Sequence, residues 1–568
     1  MQYKLIGTND TNNIIKTILT NRGVYNPEEY VNLSEKFICD WQDLDNINDA
    51  IECFAKHFEN KDDITILVDC DPDGYSSAAM MYQYIKLMDE DYPVHYMIHR
   101  RPKSHGLSDN DYDIPEDTKL LIVPDAGTND CEKCNELIES GIEVVILDHH
   151  LQDKHGNNAI IVNNQISQNY SNKDFCGAGV TYEFLRALDE YYWQDFSDNF
   201  VDLNAFGNIS DVMDLRNPST RYHVNHGLEN IKNNALSAMI EAQSYSMHNE
   251  VNIHNISWYV TPIFNAMIRI GSFEERSLLF RAFIDDYEEF DYKKRDGTTI
   301  KENIYDRAAR LCKNCKSRQD KIRDKLFAEL KNKADPNDKV IMVKADKADA
   351  GIIGLSCMKL ADTLQRPTIV VKQIEKDGKA LLSGSCRNFN NSPISDLKSV
   401  ITETELFELC AGHANAAGVQ ILPENFYAAK KAFNELLRNV EYSPTYMCDF
   451  IFDIDDLSIM FIQEVYNARW IWCTGIQEPK VAIENIMVKR SDIHVQGKDF
   501  NSITFTVGDI KFVQFGMKEN DPLLEWASAW DGEDGDWIEI NIVGEVGIND
   551  YKGTLTPQVV IKDSEIIR

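Results

Sequence analysis

Positive charge is scarce in this chain of 568 residues. It has 58 Lys and Arg against 92 Asp and Glu, a formal net charge of −34. Such a chain does not coat a duplex through general electrostatics. Contact with nucleic acid has to come from local basic surface or from bound cations. Long apolar runs are lacking too. None approaches the ~18 residues of a membrane span, so no membrane segment is expected. The start, MQYKLIGTNDTNN, lacks the apolar core of a secretory signal. Internal repeats and low-complexity segments are missing. With 43% hydrophobic and 26% charged residues, collagen-like and globally disordered classes are excluded. Cysteine is plentiful, at 13, an odd number spread along the chain. The cysteines read as reduced thiols of a cytoplasmic protein. The C-x-x-C pairs Cys131/Cys134 and Cys312/Cys315 lie about 180 residues apart in helix-like stretches, and read as thiols rather than a zinc site.

The length suits about three to five domains. Residues 1–50 read as a helical segment. From residue 51, DDITILVDCDPDG, PVHYMIHRRP, KLLIVPDAG and EVVILDHHL read as strands with helical stretches between them. That alternation indicates an α/β domain with a parallel sheet, placed at 51–250. Residues 251–335 read as helical, ending in one long helix over 301–335 with 11 Lys and Arg against 6 Asp and Glu. It reads first as a solvated connector and second as a basic rail beside a nucleic-acid path. A second α/β unit is expected at 336–440. Over 441–568 apolar and polar residues alternate, as in a small antiparallel barrel. Residues 519–539 hold eight acids and no Lys or Arg, as expected of a surface loop or protein-docking patch.

Four constellations carry chemistry. Asp69, Asp71 and Asp73 follow a strand-like run and end at Gly74. Three carboxylates this close stay ionised together only if cations neutralise them. Asp125 ends the next strand. Asp148, His149 and His150 end another, a donor mixture that suits manganese, zinc or iron. Asp211, in NISDV, can send a further carboxylate to the same place. Together they suffice for two cations that clamp a phosphoryl centre.

LVDCDPDG, VPDAG, LDHH and NISDV, in this order, resemble the four motifs of the DHH phosphoesterase superfamily. GIIGLSCMKLADTLQRPTIVV, GSCR, AGHANAAG, CGAGVTYEFLRAL and the Asn265–Arg269 stretch resemble its RecJ branch. The resemblance implies a two-domain α/β DHH core joined by the long helix, followed by an OB-like barrel. It implies a single-strand-specific DNA exonuclease, usually 5′→3′, using two divalent ions, Mn2+ in preference or Mg2+. Asp71, Asp73, Asp125, His149 and Asp211 match metal ligands, Asp69 and His150 match supporting positions in the same motifs, and the metal set counts Asp69, Asp148 and His150 with the five ligands. Arg101, His105, Arg269, Ser385, Arg387, Gly412 and His413 match positions that face nucleic-acid phosphates. The implied protein is a monomer of a bacterial cell or phage-infected host, working with a single-strand-binding protein or a helicase. Two other readings follow from the superfamily: an enzyme of short oligoribonucleotides or cyclic dinucleotides, and a non-catalytic replication scaffold. The chain departs from the family at Asp349-Ala350-Gly351, where a histidine is usual, at Ala411, at His105 and at Gly475–Pro479. These departures spare the metal ligands.

Overall fold

The computed structural model describes residues 1–568 except 103, 110, 295, 346–347, 377, 498–499, 519–520, 530–535 and 552. Part of the acidic 519–539 stretch, with Trp530, therefore lies outside the described residues. The chain divides into two compact units. One comprises Asn32–Asp320 and Cys473–Gly475; the other comprises Met1–Val31, Lys321–Trp472 and Ile476–Arg568.

The first unit is built on five parallel strands: β1 (Asp63–Val68), β2 (Val94–Ile98), β3 (Thr118–Pro124), β4 (Glu143–Asp148) and β5 (Ile160–Asn163). Their order across the sheet is β2-β1-β3-β4-β5. These strands read as continuous apolar runs because both faces are buried. Ile64, Ile66, Leu120, Ile122, Val145 and Leu147 enter one core. Leu67, Leu121, Val123, Val144 and Ile146 enter another on the opposite face. The period of two thus feeds two cores, as in a doubly wound sheet. Helices α1 (Pro72–Met88), α3 (Gly177–Tyr192) and α4 (Val201–Ser210) supply residues to the first core, and α2 (Cys131–Glu139) to the second.

Helix α5 (Ile304–Lys333) is the long helix expected from the sequence, and the division between the units falls within it. Much of its positive charge is matched locally. Arg310 pairs with Glu302 (2.6 Å), Arg318 with Glu275 (2.8 Å) and Lys333 with Glu329 (2.7 Å). That favours a solvated connector over a basic rail. Cys312 and Cys315 sit in its buried face, where burial keeps both thiols protonated, pushing Cys315 up to about 11. Among the described residues neither C-x-x-C pair belongs to a metal-ligating group.

The second unit holds two sheets. One is mixed, with β6 (Ile341–Lys344), β7 (Thr368–Lys376), β8 (Lys379–Arg387), β9 (Phe407–His413) and β10 (Ala416–Ile421) in the order β9-β10-β8-β7-β6. Helix α6 (Ala350–Leu364) lies between β6 and β7 in the chain. The other has seven strands: β11 (Phe450–Asp453), β12 (Lys480–Lys489), β13 (His494–Gln496), β14 (Ser502–Val507), β15 (Ile510–Gln514), β16 (Trp537–Tyr551) and β17 (Thr554–Ile566). Their order is β11-β12-β16-β17-β15-β14-β13. The OB-like, mostly antiparallel character stands, and the sheet is open among the described residues. Among the described residues the edge strands β11 and β13 do not pair, and β11–β12 and β15–β17 are parallel. The helix Ile459–Asn467 supplies the crossover that the first parallel pair requires. Residues 1–31 contribute a strand, Gln2–Leu5, paired in parallel with Thr445–Cys448. Among the described residues no helix is long and apolar enough to cross a membrane.

Candidate metal centre

Strand order reverses at β1, between β2 and β3. The loops after β1 and β3 leave in opposite directions and open a crevice at the carboxyl ends of the strands, where ligands bind in such sheets. The four acidic motifs meet there.

Asp71 caps α1. Its backbone is extended and its Oδ1 accepts the Gly74 N–H at 2.9 Å, while Pro72 takes the first helical position, where no N–H is needed. Asp73 is buried and accepts the N–H groups of Gly177 (2.7 Å) and Ala178 (2.8 Å) at the start of α3. Asp125 follows β3 with φ +63°, an uncommon conformation for a residue other than glycine. It is 1% exposed, and its Oδ1 has no hydrogen-bond partner among the described residues. Asp211 directly follows α4.

These side chains surround one imidazole nitrogen. His149 Nε2 stands 3.3 Å from Asp125 Oδ1, 3.6 Å from Asp211 Oδ2 and 3.9 Å from Asp73 Oδ2. Two donors have such spacing when each lies ~2.1 Å from a shared ion. Asp73, His149 and Asp211 form one candidate ligand group; Asp69, Asp71 and Asp125 form a second.

The electrostatics favour a cation. Burial and the neighbouring carboxylates push Asp71 up to about 6 and Asp211 up to about 8, and hold Asp125 well above the usual carboxyl range. Burial lowers His149, which favours the neutral ring that a metal needs. A buried carboxylate oxygen without a donor is costly unless a proton or a cation meets it. The residues present therefore fit hard or borderline divalent ions.

Asp148, counted among the metal residues from the sequence, forms a third candidate ligand group with Asp125, His149 and His150, and it is also hydrogen-bonded to its neighbours. Its Oδ1 accepts the N–H groups of His149 (2.7 Å) and His150 (3.2 Å) and pairs with His150 Nδ1 (2.8 Å); its Oδ2 accepts the Thr128 N–H (3.0 Å). Burial works against its ionisation, but the bond and charge of His150 hold it far below the usual range. Asp148 thus orients the two histidines. Asp148→Asn is expected to weaken Mn2+ affinity about 10–100-fold, as loss of an outer-shell partner does, measured by Mn2+ titration.

Asp69 is also engaged, by the Gly106 N–H (2.8 Å) and by His105 Nδ1 (2.7 Å). Burial opposes the charge on His105, but Asp69 outweighs it and raises the half-exposed ring to about 9. His105 lies beside His150, ring centroids 5.1 Å apart, at the mouth of the acid cluster. Arg101 is exposed and tied to its own loop, with Nε 3.1 Å from Asp111 and Nη2 donating to the Asp109 carbonyl (3.2 Å). Arg269 is half-buried on the helix Thr261–Ile270.

In the other unit, Ser385 and Arg387 lie on β8, and Gly412 and His413 end β9. Ser385 is in register with Gly418 of β10, between the two strands. Gly354, in the GIIG segment of α6, makes room for Arg387. A Cβ there would stand 2.9 Å from Arg387 Nη2 and 3.5 Å from Ser385 Oγ.

Two contributors escaped the sequence reading. His99, at the end of β2, is fully buried with no hydrogen-bond partner on either ring nitrogen among the described residues, and its Nε2 stands 3.8 Å from Asp69 Oδ1. No spacing pattern marks it. Gly177 holds Asp73 and touches Asp125, since a Cβ on it would lie 2.4 Å from Asp125 Cβ. Its signal was the CGAG segment, which carries no acid or imidazole.

The model of the DHH family, N-terminal domain, matches residues 63–208, and that of the DHHA1 domain matches 337–439. The chain is 34% identical to YorK of Bacillus subtilis, named as an SPbeta prophage-derived single-strand DNA-specific exonuclease, over 100% of this chain and 99% of YorK. It is 22% identical to the single-stranded-DNA-specific exonuclease RecJ of the same bacterium, over 97% of this chain and 68% of RecJ. Crystal structures of RecJ from Thermus thermophilus share the fold. The Mn2+ complex aligns with TM-score 0.72 at 18% identity, over 99% of this chain and 79% of that one. The Mg2+ complex aligns with TM-score 0.68 at 17% identity, over 99% and 78%.

Proposed function

Because this chain belongs to the DHH superfamily, in its RecJ-like branch, we propose that it is a metal-dependent exonuclease of single-stranded DNA. It works in the 5′→3′ direction in recombination, repair or replication. The observation that carries this reading is the convergence of Asp73, Asp125 and Asp211 on His149 Nε2 within the strand-end crevice. Asp71, Asp73, Asp125, His149 and Asp211 would hold two divalent ions, Mn2+ or Mg2+. Bound there, such ions supply Lewis-acid stabilisation of a phosphoryl centre and a water poised for attack.

The protein's own groups prepare that chemistry. The N–H groups of Gly177 and Ala178 fix Asp73, and Asp148 fixes the histidine pair. Asp69 keeps a proton on His105, so a cationic ring faces the mouth of the cluster. Arg269, Ser385, Arg387 and His413 are the phosphate-facing side chains of this reading, and the Gly412 backbone lets an anion approach. A single-strand-binding protein or a helicase is the implied protein partner.

The test is digestion of 5′- and 3′-labelled single strands and duplexes with Mn2+ and with Mg2+. Early release of labelled mononucleotide from the 5′-labelled single strand, with the duplex spared, is expected. Release from neither strand end, or faster turnover of dinucleotides than of long strands, overturns the reading. Gly354→Leu is expected to displace Arg387 and raise the KM for single strands several-fold with the fold retained, as steady-state kinetics and circular dichroism would show. Binding to long single strands through local Arg and Lys contacts to phosphate releases counterions, so it is expected to weaken between about 50 and 200 mM salt. Fluorescence anisotropy across that range checks it.

A further inference from the structure

A second set of metal-ligating side chains lies at the other end of the DHH sheet. Cys53 and His57 are four residues apart on the helix Ile47–Asn60, so they share one of its faces. Glu143 is the first residue of β4, whose last residue is Asp148. Six residues of strand put the two ends ~17 Å apart, so this cluster is separate from the acid crevice.

The donor atoms of Cys53, His57 and Glu143 all lie within 4.8 Å of one another. His57 Nε2 is 2.5 Å from Glu143 Oε2, and its Nδ1 is 2.8 Å from Asp62 Oδ2. A carboxylate on the far nitrogen is the usual outer-shell partner of a metal-bound histidine; it fixes the tautomer and aims the near nitrogen. Cys53 and His57 are buried, while Glu143 is half-exposed and opens the cluster to water. The Lys56 ammonium contacts Glu143 and is itself more than half exposed, so it can swing into solvent. A thiol, an imidazole and a carboxylate form a borderline-soft set. The hard Mg2+ ion disfavours such a set and Zn2+ accepts it, with water as a fourth ligand.

We propose that Cys53, His57 and Glu143 form a Zn2+ site, with Asp62 as the positioning residue for His57. Binding releases the Cys53 thiol proton to solvent and forms the metal–sulfur bond. The ion then ties the helix Ile47–Asn60 to the amino end of β4, across the face that carries the first core.

Cobalt reports the site because a thiolate ligand gives Co2+ a charge-transfer band that oxygen ligands do not. The full-length protein, stripped with chelator and held in excess Mg2+ to fill the acid crevice, is titrated with Co2+ and then with Zn2+. One cobalt per chain with a thiolate band, displaced by Zn2+, is expected. Cys53→Ser should abolish the band, Glu143→Gln should weaken Co2+ binding at least tenfold, and Cys176→Ser should leave the band intact. Cys176 is the control because it is the thiol buried beside Asp73. With the acid crevice filled by excess Mg2+, Zn2+ is expected to raise the melting temperature of the wild type more than that of Cys53→Ser. Circular dichroism confirms that each variant is folded. If Cys53→Ser does not fold, the decision passes to Glu143→Gln and His57→Gln. No thiolate band in the wild type, a band that survives Cys53→Ser, or undiminished Co2+ binding by Glu143→Gln overturns the proposal.

Discussion

Asp125→Asn is expected to yield a folded protein whose nuclease turnover falls by at least ~10^3-fold, which corresponds to about 4 kcal/mol of transition-state stabilisation. The amide keeps the volume of the side chain but is a poor ligand for a hard cation. Stability is expected to move the other way. Asp125 is buried, its Oδ1 lacks a donor among the described residues, and Asp73, Asp71 and Asp69 raise it further. Removing that charge relieves the crowding whenever no metal is present. The metal-free variant should therefore melt at or above the wild-type temperature, the trade-off common at functional sites. Gly177→Ala separates this from general damage. Its new Cβ would stand 2.4 Å from Asp125 Cβ and 2.6 Å from Asp125 Cα, so the backbone must shift. That variant is expected to lose activity and also about 1–3 kcal/mol of stability. Scanning calorimetry beside the single-strand assay distinguishes the two outcomes. A stable Asp125→Asn protein with wild-type turnover would remove Asp125 from the metal set.

Removal of the metal should make stability fall as pH rises. In the folded chain Asp71 sits at about 6 and Asp211 at about 8, both above the ordinary value of 3.8. Between those values and 3.8 the folded state holds protons that the unfolded state has lost. Stability from these groups is therefore complete below about pH 4 and is lost as pH rises through about 6 and 8. Divalent ions replace the protons, so their stabilising effect grows over the same window. Melting curves of chelator-stripped protein from pH 5 to 9, with and without Mn2+, show this as a rise in melting temperature on adding Mn2+ that increases with pH. A shift of constant size across the window would mean that the acid cluster is not the ion's site.

Much of the first unit was legible because strand ends are readable. The apolar runs before Asp69, Asp125 and Asp148 are buried on both faces, and a parallel sheet brings their carboxyl ends to one edge. The order of the motifs completed the set through the family resemblance. The division of labour among the acids was not legible. Asp148 and Asp69 carry the same carboxylate as Asp71 and also stand in candidate ligand groups; only tertiary hydrogen bonds from Thr128, His150, Gly106 and His105 give them a positioning role as well. His99 left no trace, since a lone histidine at a strand end has no period. Cys53, His57 and Glu143 escaped because Glu143 lies 86 residues beyond His57 in the chain. The barrel's alternation was visible, but closure depends on which edges meet, and the parallel pairing of β15 with β17 is a long-range choice. Likewise the four residues Gln2–Leu5 carry no signal for a partner strand at Thr445–Cys448.

The crevice lined by Asp71, Asp73, Asp125, His149 and Asp211 is expected to work only through divalent ions. Chelator-stripped protein, assayed on a 5′-labelled single strand before and after Mn2+ is restored, tests it most directly. The expected result is no release without metal, full release on adding Mn2+, and no rescue in the Asp71→Ala, His149→Ala double variant. Digestion at the wild-type rate by stripped protein, or rescue of the double variant by Mn2+, would contradict it.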